Sequence, residues 1–414
     1  MTQTASALQL YRRTQRALGK NPLWRVLLAI PRTLRFVADN LERRLADLAE
    51  GEPAPPLSAG LAAHVAMDEA ILALAMGPGR FPRRADYLRV SSELRQARAL
   101  FEERGWLADP AGYHRAPPPL QHPSITPATT VVSARPHLLR FERLRYPSEF
   151  EPRPGEIGRE RWLGHEQNRT AGAWLLRHRG GPRPWLVCLH GFGMGWPFMD
   201  FGAFPVRRLH HELGYNLALP VLPLHGARRA SRSSGDSFLS FDLVSSVHGL
   251  TQAVWDVRRL LGWLRAQGEG PIAVHGVSLG AYVAALLGAL EDGLAGVIAG
   301  IPVADFPALF RGHSPGHIRL RAIEHRILGG PAEDVHRVVS PLALPSRVPH
   351  ERRFIFAGLG DRVARPGQAH RLWLHWDKPS ILWYRGNHVG YLWSQEVTRF
   401  VLEAAQSTLG GARP

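Results

Sequence analysis

Pro271-Ile272-Ala273-Val274-His275, then Gly276-Val277-Ser278-Leu279-Gly280, then Ala281 to Glu291 is the stretch on which the fold turns. An apolar run of strand length passes through a Gly-x-Ser-x-Gly pentapeptide into an alanine-rich run of helical composition. A serine on so sharp a strand-to-helix turn has its hydroxyl held out at the end of the strand, and the flanking glycines let strand and helix backbones approach closely. Ser278 is therefore the candidate nucleophile. Taken alone, the pentapeptide also fits a plain glycine-rich turn at a strand end.

A serine hydroxyl attacks poorly until an imidazole takes its proton and a carboxylate orients and stabilises that imidazole. The downstream chain holds both. Arg353-Phe354-Ile355-Phe356-Ala357-Gly358 reads as a buried strand, and Asp361 lies in the turn after it. Ser380-Ile381-Leu382-Trp383-Tyr384 reads as the next strand, with His388 in the glycine-flanked loop beyond and a final helix starting near Tyr391. Asp305, after the strand-like Gly296 to Ile301, is a second candidate acid. His370 and His375 fall on a helix and its exit and read as structural. Upstream, Pro184 to Leu189 reads as a strand that runs into His190-Gly191-Phe192-Gly193-Met194-Gly195.

With these segments in this order, residues 138–414 resemble the α/β-hydrolase superfamily, on His190-Gly191, Gly276 to Gly280, Asp361 and His388. The resemblance implies an α/β class: a mostly parallel twisted sheet flanked by helices, here preceded by a helical N-terminal region. It implies Ser278, Asp361 and His388 as catalytic residues in family order and favours Asp361 over Asp305. It also implies backbone N–H groups of Leu279 and Phe192 as oxyanion donors, with Gly193 as the alternative to Phe192. The coarse pattern agrees with that class. Leu138 to Tyr146 and Ala171 to His178 read as antiparallel opening strands, Asn216 to Leu222 as a further strand, and Phe241 to Ala266 as a long helix.

The 414 residues suggest two domains, and 45% hydrophobic with 21% charged residues is an ordinary globular balance. The single cysteine, Cys188, excludes an internal disulfide and reads as a packing residue. No zinc-type ligand spacing is visible, so no metal and no cofactor are expected. The net charge of +16 invites a nucleic-acid reading. Against it, the cations are nearly all arginine, as in high-GC bacterial coding sequence, and are scattered without a nucleic-acid-binding signature. No nucleic-acid partner is expected.

Residues 1–115 read as helical. Leu34, Val37, Leu41, Leu45 and Leu48 share one helical face, Leu61 to Met76 resumes the pattern, and Tyr87 to Arg104 forms a third, charged helix. Residues 116–137, with Pro117, Pro118, Pro119 and Pro123, read as a stiff linker into the catalytic part. Two readings of the helices stay open. They form a layer docked on the hydrolase part or a homodimer face, or, with Arg12, Arg13, Arg16, Lys20, Arg25, Arg32 and Arg35 around Trp24, Leu27, Leu28 and Ile30, a peripheral membrane element. No apolar run is long enough to span a bilayer, and a signal-peptide pattern is lacking at the first residues, so the expected location is cytoplasmic, with peripheral membrane contact left open.

Residues 302–352 occupy the position of a cap insertion in the family. Trp196, Phe198, Phe201, Phe204 and Trp393 read either as lining of an apolar acyl pocket or as core, and Arg228 and Arg229 as solvated arginines or as anion contacts. The expected activity is cleavage of a carboxylic ester or other small acyl substrate through an acyl-enzyme. Acyl transfer or thioester cleavage on the same residues, and a non-catalytic scaffold of the same fold, are the alternatives.

Overall fold

The computed structural model describes residues 29–45, 58–75, 82–132, 137–268 and 270–410, together with Pro53 and Pro55. The basic residues Arg12, Arg13, Arg16, Lys20 and Arg25, with Trp24, Leu27 and Leu28 among them, lie outside the described residues, as does Leu48. Three helices open the described chain: α1 (Ala29–Leu45), α2 (Ala59–Ala75) and α3 (Arg84–Glu103). Nine strands follow among the described residues as one sheet: β1 (Ser124–Val132), β2 (His137–Pro147), β3 (Thr170–Leu176), β4 (Trp185–Leu189), β5 (Asn216–Pro220), β6 (Ile272–Val277), β7 (Gly296–Gly300), β8 (Arg353–Gly358) and β9 (Ser380–Tyr384). Between and after them lie α4 (Leu243–Ala266), α5 (Leu279–Leu290), α6 (Phe306–His313), α7 (Gly316–Glu324), α8 (Gly330–Arg337), α9 (Pro366–His375) and α10 (Gln395–Leu409).

Across the sheet the order is β1-β2-β3-β5-β4-β6-β7-β8-β9. The first three strands join antiparallel to one another and to β5, and the run β5-β4-β6-β7-β8-β9 is parallel, with β4 in the middle of the nine-stranded order. This is the α/β-hydrolase fold. Both faces of the parallel part are covered, so its central strands are apolar throughout rather than alternating. Trp185, Val187 and Leu189 of β4 enter the core cluster that includes α4 and α5, whereas Leu186 and Cys188 enter the one that includes α10. The two-residue period of a strand thus assigns consecutive β4 side chains to opposite layers. Cys188 is buried and free.

The segment read as a linker contains β1. It pairs from Ser124 against Arg145 to Val132 against His137 at the sheet edge, where Pro127 costs no ladder bond on its outer side. Helix α3 belongs to the main core. Tyr87, Val90, Leu94, Ala97 and Phe101, at spacings of three and four, are its buried face, each contributing about 1.5–3 kcal/mol if large and apolar. Within 302–352, α6 to α8 send Phe306, Ile318, Ala322, Ala332 and Val335 into that same core. The final helix starts at Gln395 after a short turn at Gly390–Trp393, with Ser394 accepting from Val397 N–H as its cap. Among the described residues, no helix is long and apolar enough to cross a membrane.

Candidate active site

The elbow between β6 and α5 is built by close contact. A Cβ at Gly276 would stand 2.1 Å from the Gly280 carbonyl oxygen, and one at Gly280 would stand 2.0 Å from that of Leu189. Only glycine lets the helix seat so tightly against β4 and β6. Ser278 itself takes φ 55°, ψ −115°, a conformation that costs a non-glycine residue about 1–3 kcal/mol. Its N–H donates to Gly300 O at 2.9 Å, which fastens the strained residue to the end of β7.

The loops after β8 and β9 converge on this serine. Ser278 Oγ lies 3.0 Å from His388 Nε2, and His388 Nδ1 lies 2.7 Å from Asp361 Oδ2. An ionised carboxylate only accepts, so the Nδ1 proton faces Asp361 and Nε2 is left to accept from the Ser278 hydroxyl. Asp361 Oδ1 accepts the N–H groups of Val363 and Ala364, both at 2.8 Å, which fixes the carboxylate's rotation. Burial alone would push the His388 pKa down. The charge and hydrogen bond of Asp361, with a further contribution from the charge of Asp68, outweigh it and leave the pKa raised. Ser278 and His388 are 8% and 9% exposed, so the pair works in a largely dry setting.

Asp305 is occupied elsewhere. Its side chain accepts from Ala308 N–H as the cap of α6 and pairs with Arg371 at 2.8 Å. His375 bonds the Leu344 carbonyl and His370 stacks on Trp373.

After β4 the His-Gly pair has a definable task. Leu222 N–H donates to His190 Nε2 at 3.0 Å, so the proton sits on Nδ1, which donates to Gly191 O at 2.8 Å. The Gly191 carbonyl and the Phe192 N–H belong to one planar peptide and point opposite ways, so the His190 bond also fixes the direction of the Phe192 N–H. A Cβ at Gly191 would lie 3.5 Å from Ser278 Cβ, which places this loop against the serine. Leu279 is the first residue of α5, and its N–H has no intrahelical acceptor.

The aromatics read as pocket or core divide. Phe201 and Phe204 are buried core residues, whereas Phe198 and Trp393 are exposed and Trp196 lies beneath the Arg229 guanidinium. Arg228 is neither solvated nor open to an anion. It is 4% exposed and paired with Asp256 at 2.7 Å.

One residue at the site had no part in the sequence reading. Asp68 of α2 is fully buried and bonds to both converging loops. The signal was a pair of acids, Asp68-Glu69, in the run Leu61 to Met76, which is apolar but for them and His64. Among the described residues, no group of three or more His, Cys, Asp or Glu side chains is arranged to hold a metal ion.

No family model matches the chain. Two curated relatives, proteins MT2702 and Rv2627c from two strains of Mycobacterium tuberculosis and both described as uncharacterized, are 39% identical over 375 residues, covering 90% of this chain and 88% of each relative. The chain belongs to their family. Among solved structures it is similar to an acetyl xylan esterase from Paenibacillus sp. R4 (14% identity, TM-score 0.47, 72% of this chain and 99% of that one). It is also similar to a puromycin-hydrolyzing peptidase of Mycobacterium tuberculosis (15% identity, TM-score 0.46, 71% of this chain and 48% of that one).

Proposed function

We propose that this member of the mycobacterial family is a serine hydrolase that cleaves a carboxylic ester through an acyl-enzyme. The observation that carries the reading is the continuous line from Ser278 Oγ through His388 to Asp361, at 3.0 and 2.7 Å, on a strained elbow. In the reaction Ser278 Oγ attacks the ester carbonyl carbon while its proton passes to His388 Nε2. The carbonyl oxygen becomes an oxyanion held by the N–H groups of Leu279 and Phe192, the former aided by the positive end of α5. Collapse of the tetrahedral species breaks the bond to the alcohol, which leaves with the proton from His388. Water then gives a proton to His388 and attacks the acyl carbon, and the serine is released with that proton restored. Asp361 keeps the imidazole in the required tautomer and stabilises its charged form throughout.

An ester asks less of this arrangement than an amide does, because an alcohol leaves more readily than an amine. The test is steady-state hydrolysis of nitrophenyl esters of graded acyl length beside matched thioesters and anilides, with an added alcohol to detect acyl transfer. Ester turnover that Ser278→Ala abolishes supports the reading. Anilide cleavage that exceeds ester cleavage, or acylated alcohol as the main product, would replace it.

A further inference from the structure

The buried carboxylate of Asp68 makes three bonds, all to the two loops that bring Asp361 and His388 together. Its Oδ2 accepts the N–H of Arg362, which follows Asp361, at 2.9 Å, and the N–H of His388 itself at 2.9 Å. Its Oδ1 accepts from Asn387 Nδ2 at 2.9 Å. Backbone pairing between the loops includes Leu359 N–H to Tyr384 O and Gly360 N–H to Gly386 O. Asp68 continues that pairing beyond the strands, from a helix about 290 residues earlier in the chain.

We propose that Asp68 is a positioning residue of the site, one carboxylate oxygen tying the acid loop to the histidine loop so that Asp361 and His388 stay aligned with Ser278. The inference rests on the serine-hydrolase reading above. Three N–H donors converge on the side chain, so an acceptor-only group is required. An asparagine would turn its own NH2 toward one of them, because Asn387 is held by a bond between its Oδ1 and His64 Nδ1 at 3.2 Å. Mere attachment of the helix does not need this charge. Glu69, the next residue, already pairs with the Arg362 side chain at 2.9 Å and with Arg32 at 3.5 Å.

The charge has a second effect. Burial, followed by the charge of Asp361, raises the Asp68 pKa to about 6, while His388 and the two backbone N–H groups pull it down. Asp68 in turn helps hold the His388 imidazolium. Besides these, the Tyr384 phenol faces the same carboxylates, with His64 behind Asn387 and the Arg362–Glu69 pair flanking the helix. Removing the Asp68 charge therefore lowers the His388 pKa. His388 must be neutral to accept the serine proton, so the acid limb of the rate profile moves to lower pH.

The test compares full-length wild-type, Asp68→Ala, Asp68→Asn and Glu69→Gln proteins for Ser278 labelling by a fluorophosphonate, melting temperature and ester kinetics between about pH 5 and 9. Asp68→Ala removes the oxygen shared by the two loops and is expected to lower kcat by about tenfold or more, as a small misplacement of reacting groups does, with KM within about twofold. Asp68→Asn keeps an acceptor for the two backbone N–H groups but not the charge, and is expected to displace the acid limb downward with a smaller loss of kcat. Glu69→Gln is expected to lower the melting temperature and leave the limb in place. Folded Asp68→Ala protein with the wild-type kcat, or with a loss confined to stability, overturns the proposal. If Asp68→Ala does not fold, Asp68→Asn carries the test, and folded Asp68→Asn protein with the wild-type limb overturns it equally. Wild-type protein that is not labelled at Ser278 sinks the hydrolase reading instead, whatever the Asp68 variants do.

Discussion

Replacing Asp361 with asparagine changes the site by one hydrogen-bonding sense, and the surrounding bonds dictate which way the amide turns. The Oδ1 position accepts two backbone N–H groups, from Val363 and Ala364, at 2.8 Å each. An NH2 there would meet two donors, so the amide oxygen takes that place and the NH2 faces His388 Nδ1, 2.7 Å from the present oxygen. Nδ1 must then accept, the imidazole proton moves to Nε2, and the group 3.0 Å from Ser278 Oγ becomes a donor that cannot take the serine proton. Loss of the correct tautomer in a serine triad lowers kcat by about 10³–10⁴, or about 4–5.5 kcal/mol on the barrier. The fold should hold, because both bonds at Oδ1 survive. The assay is kcat on a nitrophenyl ester, with melting temperature as a check and Asp305→Asn as the comparison, since Asp305 only caps α6 and pairs with Arg371. An Asp361→Asn enzyme within about tenfold of wild type, or a crippled Asp305→Asn enzyme, would refute the reasoning.

Gly280→Ala should yield misfolded or inactive protein, because the added methyl meets the Leu189 carbonyl at 2.0 Å and the His190 carbonyl at 2.7 Å, both backbone atoms that cannot turn aside; soluble yield and circular dichroism report it, and active, wild-type-like protein would contradict the elbow geometry. Asp256→Ala strands the buried Arg228 charge and should cost about 3–5 kcal/mol. At about 2.1 cal/mol/K of unfolding entropy per residue, that is a drop of about 3–6 °C in the thermal midpoint, and a midpoint within about 1 °C of wild type would show the pair to be dispensable. The raised His388 pKa places the acid limb of kcat/KM above the ordinary imidazole value of 6.5, with activity lost below it as the base becomes protonated; a limb below that value would mean that burial outweighs Asp361.

The elements that could be read from the chain are those whose cause is local. β6, the elbow and α5 follow from an apolar run, two glycines with a backbone reason to be there and an alanine-rich helix, all within about 20 residues. Asp361 and His388 are visible because each sits just past an apolar strand, where the resemblance implies an acid and a base. β1 was hidden because Pro127 and weak alternation look like linker, and an edge strand tolerates both. Arg228 was misread because charge is the only property a sequence shows of it; its burial depends on Asp256 of α4, 28 residues on. Asp68 is the extreme case. Its partners lie about 290 and 320 residues away, and nothing in α2 itself says which loops it will meet.

Covalent labelling of the purified full-length protein with a fluorophosphonate, read by intact mass and peptide mapping beside Ser278→Ala and His388→Ala, bears most directly on whether Ser278 is an activated nucleophile. A single adduct on the peptide carrying Ser278, absent from Ser278→Ala and strongly slowed in His388→Ala, is the result expected. Folded wild-type protein that takes up no label, or that carries it on a different serine, would contradict the account.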